Sequence, residues 1–211
     1  MTDAKQLLVR SYLFLRRGLG LIGMALPFVL VVGNLLAGGG LLGSISQYYH
    51  SDLRDFYVGA LCAIGVFLLF YRGYERSDRT ASIVAGVAAI GSAVFPIASD
   101  PADGAEEAVG VVHVVLAAVL FLTFAYFCLV EFRKTGVLPP TPRKLQRNQV
   151  YLVTGAIILG CLVLVVVVEL LGVLGQLRPV LWLEAIATVA FGVAWLTKGE
   201  AILGDLGGPR Q

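Results

Sequence analysis

The chain has 211 residues, 58% of them hydrophobic and 14% charged, with a mean hydropathy of +0.85. A soluble domain of that length has too little interior for so much apolar side chain, so composition excludes one and points to an integral membrane protein. A formal net charge of +2 gives no reason to invoke a nucleic-acid partner.

A hydrocarbon core of ~30 Å takes about 20 helical residues to cross. Six apolar runs reach that length, near 13–37, 55–74, 80–98, 109–132, 150–174 and 180–203. The predicted fold is therefore all-α: one domain over 1–211, a polytopic bundle of six transmembrane helices. The first run is long and lacks a small-residue cleavage site, so it is read as a retained span rather than a signal peptide.

Span one carries Pro27, which removes a backbone donor and predicts a kink, and Asn34 near its far end. Asn34 is read either as an interhelical hydrogen bond or as a ligand contact, with more weight on the first. The loop that follows is pliant at Gly38–Gly40 and Gly43, then polar from Ser44 to Asp55. Tyr48 and Tyr49 suit a membrane interface, and Ser51 or Asp52 can cap span two. Those roles leave His50 and Arg54 without an assignment.

Between spans two and three, Glu75 to Arg79 reads as a tight turn with Asp78 as the cap of span three. Ala85, Ala89 and Ala93, beside Ser82 and Gly86, give span three a small-residue face and predict a central place in the bundle. The next loop, Ser99 to Ala108, is short and acidic. Asp103-Gly104 signals a turn, and Glu106 and Glu107 suit the start of a helix. Calcium is conceivable there, but no EF-hand spacing is present and a solvated loop is the favoured reading. Span four holds His113 in an otherwise apolar stretch. The connector from Glu131 to Gln149, with Pro139, Pro140 and Pro142, has no catalytic signature.

Spans five and six form a hairpin about Gly175–Pro179, and each carries one acid, Glu169 and Glu184. At ~1.5 Å rise per residue, His113, Glu169 and Glu184 are predicted at one depth, ~6–8 Å inside the outer boundary. A carboxylate in hydrocarbon costs at least ~2.5–3.5 kcal/mol on insertion scales, so such acids face a bundle interior and a partner. Trp182 and Trp195 are expected at the two interfaces, and the tail from Gly204 to Gln211 is expected to be loose. Cys62, Cys128 and Cys161 sit singly in separate spans and read as small packing residues.

Assigning loops alternately puts fourteen of the sixteen Lys and Arg residues on one side, leaving Arg54 and Arg178 on the other. That asymmetry predicts cytoplasmic N- and C-termini and a bacterial inner-membrane location. The cytoplasmic half then carries a formal +8, suited to anionic inner-leaflet lipid, and the outer half −6.

Tyr48–Gly59, Phe70–Glu75, Trp182–Ala185 and Ala190–Gly199 resemble a group of uncharacterised bacterial six-span membrane proteins. His113 followed by Ala117 and Phe121 is similar to the FRAG/DRAM/SFK membrane family. The second resemblance implies a lipid-related role. Ser46-x-x-x-His50 resembles a motif of the ceramidase and adiponectin-receptor membrane hydrolases, which implies zinc held by histidines and an aspartate. This chain departs from that pattern, with two histidines, six predicted spans and no late HxxxH.

Two functional readings follow. In the leading one, His50, Arg54, Asp55, His113, Glu169 and Glu184 enclose an outer-leaflet polar pocket for a lipid headgroup or small amphiphile, without a cofactor. In the other, His50, His113 and Glu184 hold zinc and the protein hydrolyses a lipid ester or amide. Whether the protein is an enzyme stays open at this point. A proton- or ion-coupled carrier or a structural subunit are further alternatives, and the Gly- and Ala-rich faces allow a homo-oligomer or a membrane-protein partner.

Overall fold

The computed structural model describes residues 2–204 apart from 74, 100, 102, 136–138 and 173–174, with the side chains of 2–6 and 8 left aside. The expected loose tail and the aromatic Tyr74 therefore lie outside the described residues, apart from Gly204 itself. Six long helices account for the fold: α1 (Thr2–Leu36), α2 (Arg54–Phe70), α3 (Arg76–Val94), α4 (Gly104–Leu129), α5 (Pro142–Leu171) and α6 (Pro179–Lys198). Single 3₁₀ turns occupy Ser46–His50, Glu131–Arg133 and Gly175–Leu177, and the described residues contain no strand.

Four of the helices are long and apolar enough to cross a membrane: α1 from Val9, α4, α5 and α6. The other two depart from the sequence expectation for identifiable reasons. α2 has only 17 residues, roughly 25 Å of helix. α3 begins with the polar run Arg76 to Thr80, and in the remainder Ala, Gly and Ser outnumber Ile and Val, so its mean hydropathy is low.

Local chemistry sets the helix ends, several of which fall outside the predicted spans. Asp103 accepts hydrogen bonds from the Ala105 and Glu106 N–H groups and starts α4 at Gly104, ahead of residue 109. Thr141 accepts from Lys144 N, with Pro142 as the first helical residue, so α5 consumes much of the expected connector. α3 is capped by Glu75, with Asp78 reaching back to the Glu75 N–H in a capping box; Asp78 is the reciprocal partner and not the cap itself. At α2, Ser51 Oγ accepts from Leu53 N, just before the helix. Gly172, left-handed at φ 59°, ends α5.

Each helix packs on its neighbours in sequence, α1 on α2 through α5 on α6, and α6 closes back on α1. Hydrogen bonds show the alternation of direction. At one end Tyr12 bonds Arg72, Arg17 bonds the Gly199 carbonyl, and Lys134 pairs with Glu75. At the other end, His50 bonds the Ile97 carbonyl and Glu184 holds the Ile45 N–H. The result is an antiparallel ring of six.

Small residues bring the backbones together at two seams. A Cβ at Gly192 would lie 2.7 Å from Met24 N and 2.8 Å from the Gly20 carbonyl, across the α1–α6 contact. A Cβ at Gly86 would lie 2.8 Å from the Gly65 carbonyl, across α2–α3. The α3 face predicted to be central is indeed buried at Ser82, Ala85, Gly86, Ala89 and Ala93.

The ring interior is filled at the Tyr12–Arg72 end by aromatics. Trp195 packs edge-on against Tyr71 and Phe132, each 5.1 Å between centroids, and Phe124 stacks on Phe191. Trp195 was expected at a membrane interface, yet it is 1% exposed. Trp195 lies on the face of α6 turned into the ring, where Tyr71, Phe127 and Phe132 enclose it. Trp182, 48% exposed, keeps the expected surface position. Cys128 and Cys161 are buried, Cys62 is half-buried, and all three thiols are free.

Candidate functional site

At the end opposite the aromatic core, the loop after α1 folds back over the bundle. Asn34 donates to the Gly40 carbonyl, tying the glycine-rich stretch to the helix it leaves; this is a local bond rather than an interhelical one. Gln47 accepts from Gly43 N and Ser44 Oγ accepts from Gln47 N, which shapes the turn at Ser46–His50. Glu184 secures that turn from below. Its carboxylate accepts from Ile45 N at 2.7 Å and from Ser46 N at 3.4 Å, acting as the cap that Ile45 cannot supply.

His113, on α4, is 1% exposed. Its Nδ1 lies 2.8 Å from the Phe95 carbonyl and 3.0 Å from the Ser92 carbonyl, at the end of α3. Carbonyls only accept, so Nδ1 is the nitrogen that carries hydrogen. In the neutral imidazole Nε2 is then an acceptor, and it is buried without a partner.

His113 and Glu184 border the same small cavity, of about 40 Å³. Ser46, Tyr57, Ser92 and Thr188 add polar groups to its wall, and Leu120, Phe121, Phe124 and Phe191 supply apolar ones. The Tyr57 hydroxyl reaches the Ser46 side chain, and Ser92 Oγ, like His113 Nε2, is buried without a partner. A volume on this scale admits a few water-sized groups.

Of the six residues predicted for the site, His113 and Glu184 are brought together and the other four are not. Glu169 is exposed on α5, beyond Cys161, the last buried residue of that helix. It does not line the cavity that Glu184 borders. His50 is exposed, with its Nε2 2.8 Å from the Ile97 carbonyl and its ring edge-on to Tyr49. Arg54 donates to the Tyr49 hydroxyl at 2.7 Å and lies over that ring, and Asp55 is exposed in the first turn of α2. His50 and Arg54 thus meet at the surface on either side of Tyr49. Among the described residues no group of three or more His, Cys, Asp or Glu side chains is placed to hold a metal ion.

Sequence reasoning missed Tyr57, Ser92 and Thr188, and reached Ser46 only through the Ser46-x-x-x-His50 resemblance. Ser92 follows the buried α3 face by one turn from Ala88 and Ala89, a signal present in the small-residue pattern. Tyr57 carries no such signal, because an interfacial tyrosine and a cavity tyrosine look alike in sequence.

A second polar cluster lies at the Tyr12–Arg72 end of the bundle, about the end of α4. Lys134 bridges Glu131 at 2.6 Å and Glu75 at 2.8 Å, linking the end of α4 to the start of α3. The two carboxylates raise the Lys134 ammonium above its ordinary range, Glu131 most. Glu131 is also bonded by the Tyr126 hydroxyl. This cluster is satisfied by its own partners and reads as a structural tie.

Comparison with protein-family models, with curated proteins and with solved structures finds no match for this chain.

Proposed function

We propose that this multi-pass membrane protein crosses the bilayer six times, with both termini cytoplasmic. In the outer leaflet it binds an amphiphile whose polar end is a small hydrogen-bond donor. The orientation rests on the fourteen-to-two distribution of basic residues, and the resemblance to the FRAG/DRAM/SFK family favours a lipid-related role. The observation that carries the reading is the unpartnered His113 Nε2, 1% exposed and beside Glu184. A buried acceptor left without a donor costs about 1–3 kcal/mol, and a ligand hydroxyl or amine removes that cost.

The size of the cavity narrows the ligand. A whole phosphorylated headgroup does not enter 40 Å³, but a terminal hydroxyl or amine does. The apolar remainder would leave between α4 and α6 past the half-buried Ala117 and Phe121, where α5 beyond Cys161 has half-buried and exposed side chains but no fully buried one.

The experiment is lipid analysis of the protein extracted directly into nanodiscs, for wild type and His113→Phe. The aromatic replacement keeps the ring volume and removes the acceptor. A hydroxyl- or amine-bearing amphiphile retained by wild type should fall about fivefold in the variant, the loss of one hydrogen bond of ~1 kcal/mol. An identical lipid profile at an unchanged melting temperature would rule the site out.

A further inference from the structure

A different face of the molecule carries a groove of about 1040 Å³, with α6 as its floor and α1 and α5 as its walls. Its lining is apolar over most of its length, for example at Val31, Val153 and Val189, and Trp182 borders it toward the Glu184 end. The polar groups are gathered at the opposite end, where α5 contributes Arg143, Gln146 and Gln149. The segment of α5 from Arg143 to Ile157 extends roughly 21 Å, more than the ~15 Å of one leaflet.

We infer that this groove binds one anionic phospholipid of the cytoplasmic leaflet, its phosphate on Arg143 and its acyl chain along α6. The leaflet assignment rests on the orientation proposed above; the site and its ligand are separate from the His113 cavity. Charge decides the occupant. Arg143 is half-buried and makes no hydrogen bond or ion pair among the described residues, so its five donors are available to a phosphate. Gln146 and Gln149 follow at three-residue steps and add amide donors around the same point. One turn on, Arg147 donates to the Leu203 carbonyl at 3.3 Å, and Leu203 itself borders the groove. Leu203, the described residue of the chain after α6 at this point, thereby borders the polar end with an apolar side chain. A second protein helix would bury Arg143 against apolar side chains, whereas a phospholipid matches both ends at once.

The test places the full-length protein in nanodiscs of equimolar phosphatidylmethanol, an anionic lipid that like phosphatidylcholine has no hydroxyl or amine in its headgroup, and phosphatidylcholine, and reads bound lipid by native mass spectrometry. Wild type should retain phosphatidylmethanol about fivefold over phosphatidylcholine, as one interfacial cation of ~1 kcal/mol provides. Arg143→Ala should bring the ratio to one, and Val189→Trp, which fills the floor, should remove both adducts. His113→Phe should leave the ratio unchanged, which separates this site from the proposed outer one. Equal retention by wild type, a preference that survives Arg143→Ala, a ratio lost in His113→Phe, or a homodimer abolished by Val189→Trp with lipid unaffected would each overturn the assignment. Arg143 is a surface residue, so its variant remains informative should Val189→Trp fail to fold.

Discussion

Glu184 combines two duties that separate by substitution. Its carboxylate closes the N–H groups of Ile45 and Ser46, and it borders the cavity with His113. Glu184→Ala removes the cap and should cost about 1–2 kcal/mol, the range for a lost helix cap. Glu184→Gln keeps an acceptor oxygen and should cost less, so the two variants should differ in thermal midpoint and in protease cleavage between Gly38 and Ser51. Equal behaviour of the two would show that the loop does not depend on this bond. Trp195 offers a second check at the same scale. With Trp182→Phe, the remaining Trp195 should be shielded from a brominated-lipid quencher, and with Trp195→Phe, the remaining Trp182 should be quenched strongly. The reverse pattern would place Trp195 at the membrane surface after all.

Helix contacts explain what the amino-acid pattern could and could not convey. Gly86 and Gly192 lie where neighbouring backbones touch, so Gly86→Val and Gly192→Val should each cost about 1–3 kcal/mol or more through overpacking. Gly160 on α5 has nothing within 4 Å of a built Cβ, so Gly160→Ala should be neutral or stabilise by up to ~1 kcal/mol through helix propensity. Thermal stability in one detergent compares all three, and a Gly86→Val as stable as wild type would refute the close seam. Small-residue spacing made the α2–α3 seam legible in advance, because Ala85 and Ala89 repeat at helical period beside Gly86. The six helices were legible from hydropathy, while their ends depended on caps such as Asp103 and Thr141 whose choice is local. Depth was legible for His113 and Glu184, but direction was not. Glu169 is exposed instead, since nothing in the valine-rich stretch before it marks which side meets a neighbour.

At the scale of the whole molecule, the open distinction is between six crossings and four. Helices α1, α4, α5 and α6 are each sufficient to span, whereas α2 and α3 are shorter or less apolar. Were α2 and α3 a hairpin dipping into the outer leaflet, the turn between them would stay on the side where α1 ends. The hydrogen bonds favour the other arrangement. Tyr12, near the start of α1, donates to the Arg72 carbonyl and accepts from the Arg72 N–H, and Lys134, past the end of α4, pairs with Glu75. The α2–α3 turn therefore shares an end of the bundle with those two points, which supports the proposed six crossings. Single-cysteine labelling decides it, on a background in which Cys62, Cys128 and Cys161 are replaced by alanine. Asp52→Cys and Glu107→Cys should react with an impermeant maleimide added to intact cells. Arg79→Cys and Arg133→Cys should react only after permeabilisation. Reaction of Arg79→Cys from outside, with Arg133→Cys still protected, would establish four crossings and move the proposed outer site out of its leaflet.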